Sequence, residues 1–188
     1  MTVIVAARTK TGAAVAADSL TTAGWEKEWN DRSKLWDDGK YVFGAAGCLR
    51  TAQVVRHWAT WPTYRPDEHA DAERFFVREV VPAVRNAVNG AGVQSTVNGV
   101  ETVPMTLLVA TGSLLGVVHS NGAVSIPKSG RCAIGSGYAE ALGALGDKGT
   151  WTVEQVVEAA RRATLTAVGC EGAISYMTTD ERVLRTTS

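Results

Sequence analysis

Short apolar stretches separated by turns rich in Gly, Asn and Asp account for most of the chain. Residues 2–7 and 13–18 are rich in Val and Ala and are joined by a turn containing Gly12, which predicts a β-hairpin. Both are apolar almost throughout, so we expect a sheet covered on both faces. The same criteria predict further strands at 40–46, 105–110, 114–119, 122–126, 131–134, 173–178 and 182–184.

Helical periodicity marks the longer apolar segments. Residues 71–88 carry the clearest stripe, in which Pro82 predicts a kink or a restart of the helix. Thr152 and Gln155 form a predicted capping box at the start of another helix. The predicted helices are 51–60, 71–88, 137–145 and 152–167, and residues 20–33 and 89–103 are predicted as irregular loops. This order of strands and helices favours an α+β fold, with antiparallel sheets covered by helices on their outer faces.

Composition narrows the class of protein. At 188 residues and 45% hydrophobic, residues 1–188 are predicted to form one domain with a large core. Equal numbers of cationic and anionic residues argue against nucleic acid or an anionic membrane as partner. No apolar run approaches the ~20 residues of a membrane span.

The cysteines and histidines give no sign of a metal site or a disulfide. The three cysteines are isolated and odd in number, which is typical of reduced thiols in the cytoplasm. No paired Cys or His spacing suits a metal, and no cofactor is predicted. Arg8 and Lys10 end the first apolar run too early for a secretory signal.

Thr2 is the candidate nucleophile. It is small enough to allow removal of Met1, which would leave a hydroxyl and a free α-amine on one residue. Such an amine titrates at about pH 7.7–8.0 and can act as a base at neutral pH. A threonine activated by its own amine is a known nucleophile–base pair. Thr is common at position two, so this residue alone is a weak motif.

Four further positions follow Thr2 in a recognisable order. Asp18 ends the second apolar stretch, Lys34 precedes an apolar pair, Gly47 closes an Ala-Gly strand end, and Ser136 lies between two glycines before a helix. As an ordered set they resemble the proteasome β-subunits and the bacterial HslV-type proteases, which are N-terminal-nucleophile (Ntn) hydrolases. The resemblance covers nearly the whole chain and implies a four-layer α-β-β-α sandwich.

The resemblance also implies a role for each residue. Lys34 would stabilise the Thr2 alkoxide and keep the amine neutral, while Asp18 would orient Lys34. Gly47 would donate its backbone N–H to an oxyanion, and Ser136 would assist the nucleophile. Each has an ordinary alternative: a surface salt bridge for Asp18 and Lys34, a strand end for Gly47, and a helix N-cap for Ser136.

The substrate pocket is predicted around Ala45, Leu49 and Thr21. Because Ala45 is small, we expect that pocket to be roomy and apolar. Trp25 and Trp29 lie in the predicted loop 20–33. Either this long loop has a function, or its two tryptophans simply pack beneath it at the surface. The stretch from Thr166 to Gly172 lacks the Asp that proteasome β-subunits carry there.

The leading hypothesis is therefore a cytoplasmic threonine-type endopeptidase in a homo-oligomeric ring, with polypeptide substrates and an ATP-dependent unfoldase as a candidate partner. A second hypothesis is a catalytically silent assembly subunit that retains Met1. A third, weaker one is an Ntn amidase acting on a small substrate.

Overall fold

The computed structural model describes residues 1–23, 26–29 and 33–187, without the side chains of 22, 23 and 26–29. The predicted role of Trp25, and that of the Trp29 side chain, lie outside the described residues. The described residues contain fourteen strands: β1 Ile4–Arg8, β2 Ala13–Asp18, β3 Leu20–Ala23, β4 Glu26–Trp29, β5 Leu35–Asp37, β6 Val42–Gly47, β7 Ser95–Val97, β8 Val100–Thr102, β9 Met105–Thr111, β10 Leu114–Val118, β11 Val124–Ser125, β12 Arg131–Ile134, β13 Ile174–Thr178 and β14 Arg185–Thr187.

Ten of these strands form two antiparallel sheets of five. The first sheet has the order β12-β1-β2-β13-β14, and the second has the order β11-β10-β9-β6-β5. β3 pairs with β4 and β7 pairs with β8 in two separate two-stranded sheets. The helical elements are α1 Leu49–Trp58, α2 Ala72–Phe75, a π-helical turn Phe76–Val80, α3 Val81–Gly90, α4 Tyr138–Leu145 and α5 Val153–Thr166.

Three clusters of buried side chains define four layers. One cluster fills the space between the two sheets and includes Ile4, Val15 and Leu108. A second joins the first sheet to α4 and α5, and a third joins the second sheet to α1, the π-helical turn and α3. The predicted α-β-β-α sandwich is therefore confirmed. Successive side chains of a strand point to opposite faces, so alternate residues of β1 pack in different clusters.

Helix starts follow the local signals in the sequence. Thr152 Oγ1 accepts a hydrogen bond from the Gln155 N–H at 3.3 Å, and the Thr152 N–H donates to Gln155 Oε1 at 3.0 Å, so the capping box is confirmed. The restart at Pro82 is also confirmed, since α3 begins at Val81 after a turn in which the Val81 N–H bonds Phe76 O, five residues back. A proline has no N–H for the usual α-helical ladder, which favours this wider turn.

Both predicted loops contain hairpins. Residues 95–102 form β7 and β8 around Asn98-Gly99, whose φ angles of 51° and 77° fit a type I′ turn. β3 and β4 pair from Leu20 opposite Trp29 to Ala23 opposite Glu26. Neither hairpin belongs to a main sheet, so neither needs the apolar pattern by which the other strands were predicted.

One further strand prediction needs correction, and one strand was not predicted. The strand predicted at 182–184 is wrong: Arg182 has a φ of 54°, which interrupts extended backbone, and β14 begins at Arg185. β5 was not predicted, because three residues are too few to show a period.

The close packing of helices on the second sheet gives a stability prediction. A Cβ at Gly116 in β10 would lie 2.3 Å from the Phe76 ring, whereas a Cβ at Gly143 in α4 would meet nothing within 4 Å. We expect Gly116→Ala to lower the free energy of unfolding by about 1–3 kcal/mol through overpacking. Gly143→Ala, a matched control, should be neutral or stabilising by up to about 1 kcal/mol. Urea denaturation measures both, and equal effects would contradict this description of the packing.

Candidate active site

A buried ion pair lies at the end of β2. The Asp18 side chain is fully buried and Lys34 is 11% exposed. Asp18 Oδ1 accepts hydrogen bonds from Lys34 Nζ at 2.7 Å and from the Val3 N–H at 2.8 Å. The alternative of an ordinary surface salt bridge is wrong, because the pair is enclosed and one partner is bound to the backbone beside Thr2.

The pair faces the peptide bond between Met1 and Thr2. Lys34 Nζ lies 3.2 Å from the Met1 carbonyl oxygen, and Thr2 Oγ1 donates to the same oxygen at 2.7 Å. Burial lowers the pKa of the Lys34 ammonium, and the adjacent Asp18 carboxylate opposes that shift. The Asp18 carboxylate thus holds Lys34 next to the candidate nucleophile.

Ser136 contacts the other side of Thr2. Its Oγ accepts from the Thr2 N–H at 3.3 Å and lies 3.4 Å from the Thr2 carbonyl oxygen, to which the Gly137 N–H also donates at 3.2 Å. The N-cap of α4 is Gly137, which has no side chain to cap with, so the alternative of Ser136 as N-cap is wrong. The Ser136 hydroxyl instead forms hydrogen bonds with the backbone of Thr2.

Two glycines let the backbone approach closely at this point. Gly135 has a φ of 88°, and a Cβ there would lie 2.2 Å from the Thr2 carbonyl oxygen. Gly47 has a φ of 125°, and a Cβ there would lie 2.8 Å from Met105 Cα and from the Pro104 carbonyl oxygen. Only glycine fits either position without strain. Gly47 therefore needs no catalytic role to explain its identity, and its N–H stays a predicted oxyanion donor.

Thr2 opens onto a pocket between the start of the chain, β3, β5, β6 and α1. The predicted residues Thr21, Ala45 and Leu49 all line it, as do Gly47 and Lys34. The remaining lining residues are Met1, Leu20, Ser33, Trp36, Ala52, Gln53, Arg56 and His57. The prediction of an apolar pocket is wrong in one respect: α1 adds an amide, a guanidinium and an imidazole, which Ala45 alone could not indicate.

Cys170 also belongs to the site, although the sequence did not predict it there. Its Sγ lies 3.6 Å from Ser136 Oγ, and the side chain is fully buried. Burial raises the pKa of this thiol, so the sulfur stays protonated at neutral pH. Cys170 lies in the stretch from Thr166 to Gly172, which departs from the proteasome pattern. That departure was the one feature of the sequence that could have pointed to Cys170 as a site residue.

The described residues contain neither a candidate metal site nor a candidate membrane span. No group of three or more His, Cys, Asp or Glu in them could hold a metal ion. No helix among them is long and apolar enough to cross a membrane.

The fold has clear counterparts among solved structures. Thiobacillus denitrificans BPH in complex with epoxomicin has a TM-score of 0.71 and 17% identity, over 99% of each chain. Eukaryotic HslV from Trypanosoma brucei has a TM-score of 0.67 and 19% identity, over 93% of this chain and 97% of that one. Anbu (ancestral beta-subunit) from Yersinia bercovieri has a TM-score of 0.65 and 16% identity, over 98% and 86%.

Sequence comparison alone finds no relative: no protein-family model matches the chain, and no curated protein matches it. The structural likeness confirms the predicted resemblance at the level of fold. The chain has the α-β-β-α sandwich of the Ntn hydrolases, in its proteasome-like, HslV-like form.

The ion pair gives a second stability prediction. Lys34→Met leaves the Asp18 carboxylate buried without its cation, and we expect a loss of about 3–5 kcal/mol in the free energy of unfolding. Adding Asp18→Asn should recover part of that loss, because the unpaired charge is then gone.

The matched control breaks an exposed ion pair. Arg162 is 63% exposed and binds Glu158, so Arg162→Met should cost no more than about 1 kcal/mol. Urea denaturation at one protein concentration compares the variants. A Lys34→Met loss no larger than that of the control would show that the pair is not effectively buried.

Proposed function

We propose that this protein is a threonine-type endopeptidase, with Thr2 as nucleophile after removal of Met1. The observation that carries the proposal is the placement of Thr2 between two polar groups. Lys34, held by buried Asp18, contacts the carbonyl before Thr2, and the Ser136 hydroxyl contacts the Thr2 nitrogen. A threonine that is merely exposed at the surface would not require contacts of this kind.

Removal of Met1 converts the Thr2 nitrogen from an amide into a base. The free amine takes the proton of Oγ1 as the oxygen attacks the substrate carbonyl carbon, and it returns the proton to the leaving amine. This forms an ester with the acyl half of the substrate, which water then hydrolyses. The Lys34 charge favours the neutral amine and stabilises the developing alkoxide, while Ser136 Oγ holds the nitrogen.

The carbonyl oxygen of the substrate becomes negative during the attack and needs a donor. Gly47 lines the same pocket as Thr2, and a residue without a side chain lets the substrate approach its backbone N–H. We assign the oxyanion contact to that N–H. Ala45, Leu49 and Thr21 receive the side chain that precedes the scissile bond.

The assembly proposed is a homo-oligomeric ring with the active sites inside. One similar structure bears the description beta-subunit, and another was solved with epoxomicin, which we propose would bind the Thr2 pocket here. Trp58, Leu165 and Val168 are 60–80% exposed, and contact between copies would remove such apolar surface from water. An unfoldase partner and a cytoplasmic location are part of the same proposal.

One contact favours the silent assembly subunit as an alternative. A Cβ at Gly169 would lie 2.3 Å from Met1 Cε, so the absence of a side chain at 169 leaves room for the methionine. With Met1 retained, the Thr2 nitrogen is an amide and cannot serve as the base.

The nucleophile is tested by substitution. Thr2→Ala removes the hydroxyl that forms the ester, so hydrolysis of fluorogenic peptides should fall to the uncatalysed background. Thr2→Ser keeps a hydroxyl and an amine and should retain measurable kcat. Circular dichroism and the assembly mass should be unchanged in both.

Retention of activity in Thr2→Ala would overturn the assignment. An inactive parent protein would point to the silent subunit instead, provided that its mass and fold are intact.

The ring is tested by light scattering on the purified protein at micromolar concentration. Head-to-tail contacts between identical copies either close into a ring or continue as a filament, so we expect one discrete mass of several subunits. A clean monomer mass of 19.9 kDa would contradict a compartment of this kind.

A further inference from the structure

A second cleft also borders Thr2. It shares Met1, Thr2 and Gly47 with the substrate pocket, and its other described lining residues are Ala46, Thr106, Gly135 and Ser136. None of these four comes from the segment 20–34, part of which lines the first pocket. The two cavities therefore meet at the nucleophile but have different walls.

The second cleft lies at the open end of the space between the two main sheets. Ala46 in β6 and Thr106 in β9 are register partners, so their side chains lie on the same face of the second sheet. Ala46 belongs to the cluster between the sheets, and that face is therefore turned toward the first sheet. Gly135 follows Ile134 at the end of β12. The second sheet thus lines one side of the cleft, and the residues after β12 line the other.

The cleft is large enough for a side chain. Its volume is about 310 Å³, whereas a cavity needs only roughly 10–15 Å³ to hold one water molecule. Gly47 and Gly135 have no side chain and Ala46 has only a methyl group, so these walls fill little of the space. The cleft therefore exceeds what the water of the hydrolysis step requires.

The Thr2 nitrogen indicates which half of the substrate this cleft receives. Ser136 Oγ accepts a hydrogen bond from the Thr2 N–H at 3.3 Å, and Ser136 is among the described lining residues of the second cleft but not of the first pocket. In the proposed mechanism the Thr2 amine returns its proton to the leaving amine, which must lie within hydrogen-bond reach of that nitrogen. Since the first pocket receives the side chain before the scissile bond, the leaving half belongs on the Ser136 side.

We propose that the second cleft binds the residue that follows the scissile bond, and that the substrates are polypeptides that continue past this bond. The inference rests on the proposed function and gives the substrate class of the same site. Gly47 lines both cavities, which places the scissile carbonyl between them with its oxygen at the assigned N–H. A small terminal amide would leave the second cleft without an occupant.

The test compares two substrates that share one acyl half. One is a peptide that extends several residues past the cleaved bond, and the other is a methyl ester, whose leaving group is too small to need the cleft. Thr106→Phe places a ring in the cleft from the sheet opposite Ser136. We expect kcat/KM for the extended peptide to fall roughly tenfold or more relative to the ester, which is about 1.4 kcal/mol of transition-state stabilisation. Thr106→Ser keeps the cleft open and should leave this ratio close to the parent value.

Thr111→Phe is the matched control. It makes the same substitution at the other end of β9, roughly 17 Å away along the strand. Thr111 is not among the described lining residues of either cavity, so the ratio of the two kcat/KM values should stay at the parent value. An equal fall in both variants would show a general effect of overpacking β9 and overturn the assignment of the cleft.

A measurement on the parent protein needs no substitution in the cleft. Two peptides with the same acyl half end in glycine amide or leucine amide after the cleaved bond, so they differ only in the side chain that the cleft would receive. We expect kcat/KM for the leucine peptide to exceed that for the glycine peptide by roughly fivefold to tenfold, because the leucine side chain is partly buried. Equal values would overturn the assignment of the cleft.

These outcomes separate the inference from the proposed function. Thr2-dependent cleavage of the extended peptide without a specific effect of Thr106→Phe would keep the peptidase and reject the cleft assignment. Thr2-dependent hydrolysis of the ester alone would reject polypeptides as substrates. A parent protein that acts on neither substrate would reject both the inference and the proposed function.

Discussion

The need to compensate one buried carboxylate organises the site. Asp18 is fully buried, and its Oδ2 has no hydrogen-bond partner within the described part of the chain. The contacts that offset the buried negative charge are therefore those made to Oδ1. Val3 N–H and Lys34 Nζ both bind that oxygen. A buried charge without these partners would cost several kcal/mol. The pair therefore fixes the end of β2, the start of the chain and the lysine relative to one another.

Close packing around Thr2 completes the arrangement. The first sheet brings β12 beside β1, and the absence of a side chain at Gly135 lets the backbone before Ser136 approach the Thr2 carbonyl. The space between the two sheets is filled by alanines such as Ala6 and Ala17 together with larger side chains such as Leu108. The same strands that form the core thus carry the polar groups at their ends, where water and substrate can reach them.

Most of the sandwich could be predicted from the sequence, because β2 is a continuous apolar run next to a glycine turn and α5 has a helical period that begins at a capping box. The Asn98-Gly99 pair is a common hairpin turn sequence. The hairpin was nevertheless not predicted, because β7 and β8 lack the alternation of apolar and polar residues. The polar wall of the pocket was not predictable from Ala45, because the pattern of α1 does not say which face meets a cleft formed by distant strands. Cys170 was missed for the same reason, since its neighbour Ser136 is far away in sequence.

The central claim is that Thr2 acquires a free amine, and the intact mass of the protein purified from its own host tests it most directly. The account predicts a chain shorter by one methionine residue, with threonine as the residue that N-terminal sequencing detects first. A full-length mass with Met1 in place would contradict it, because the Thr2 nitrogen would then be an amide with no free pair to accept the proton of Oγ1.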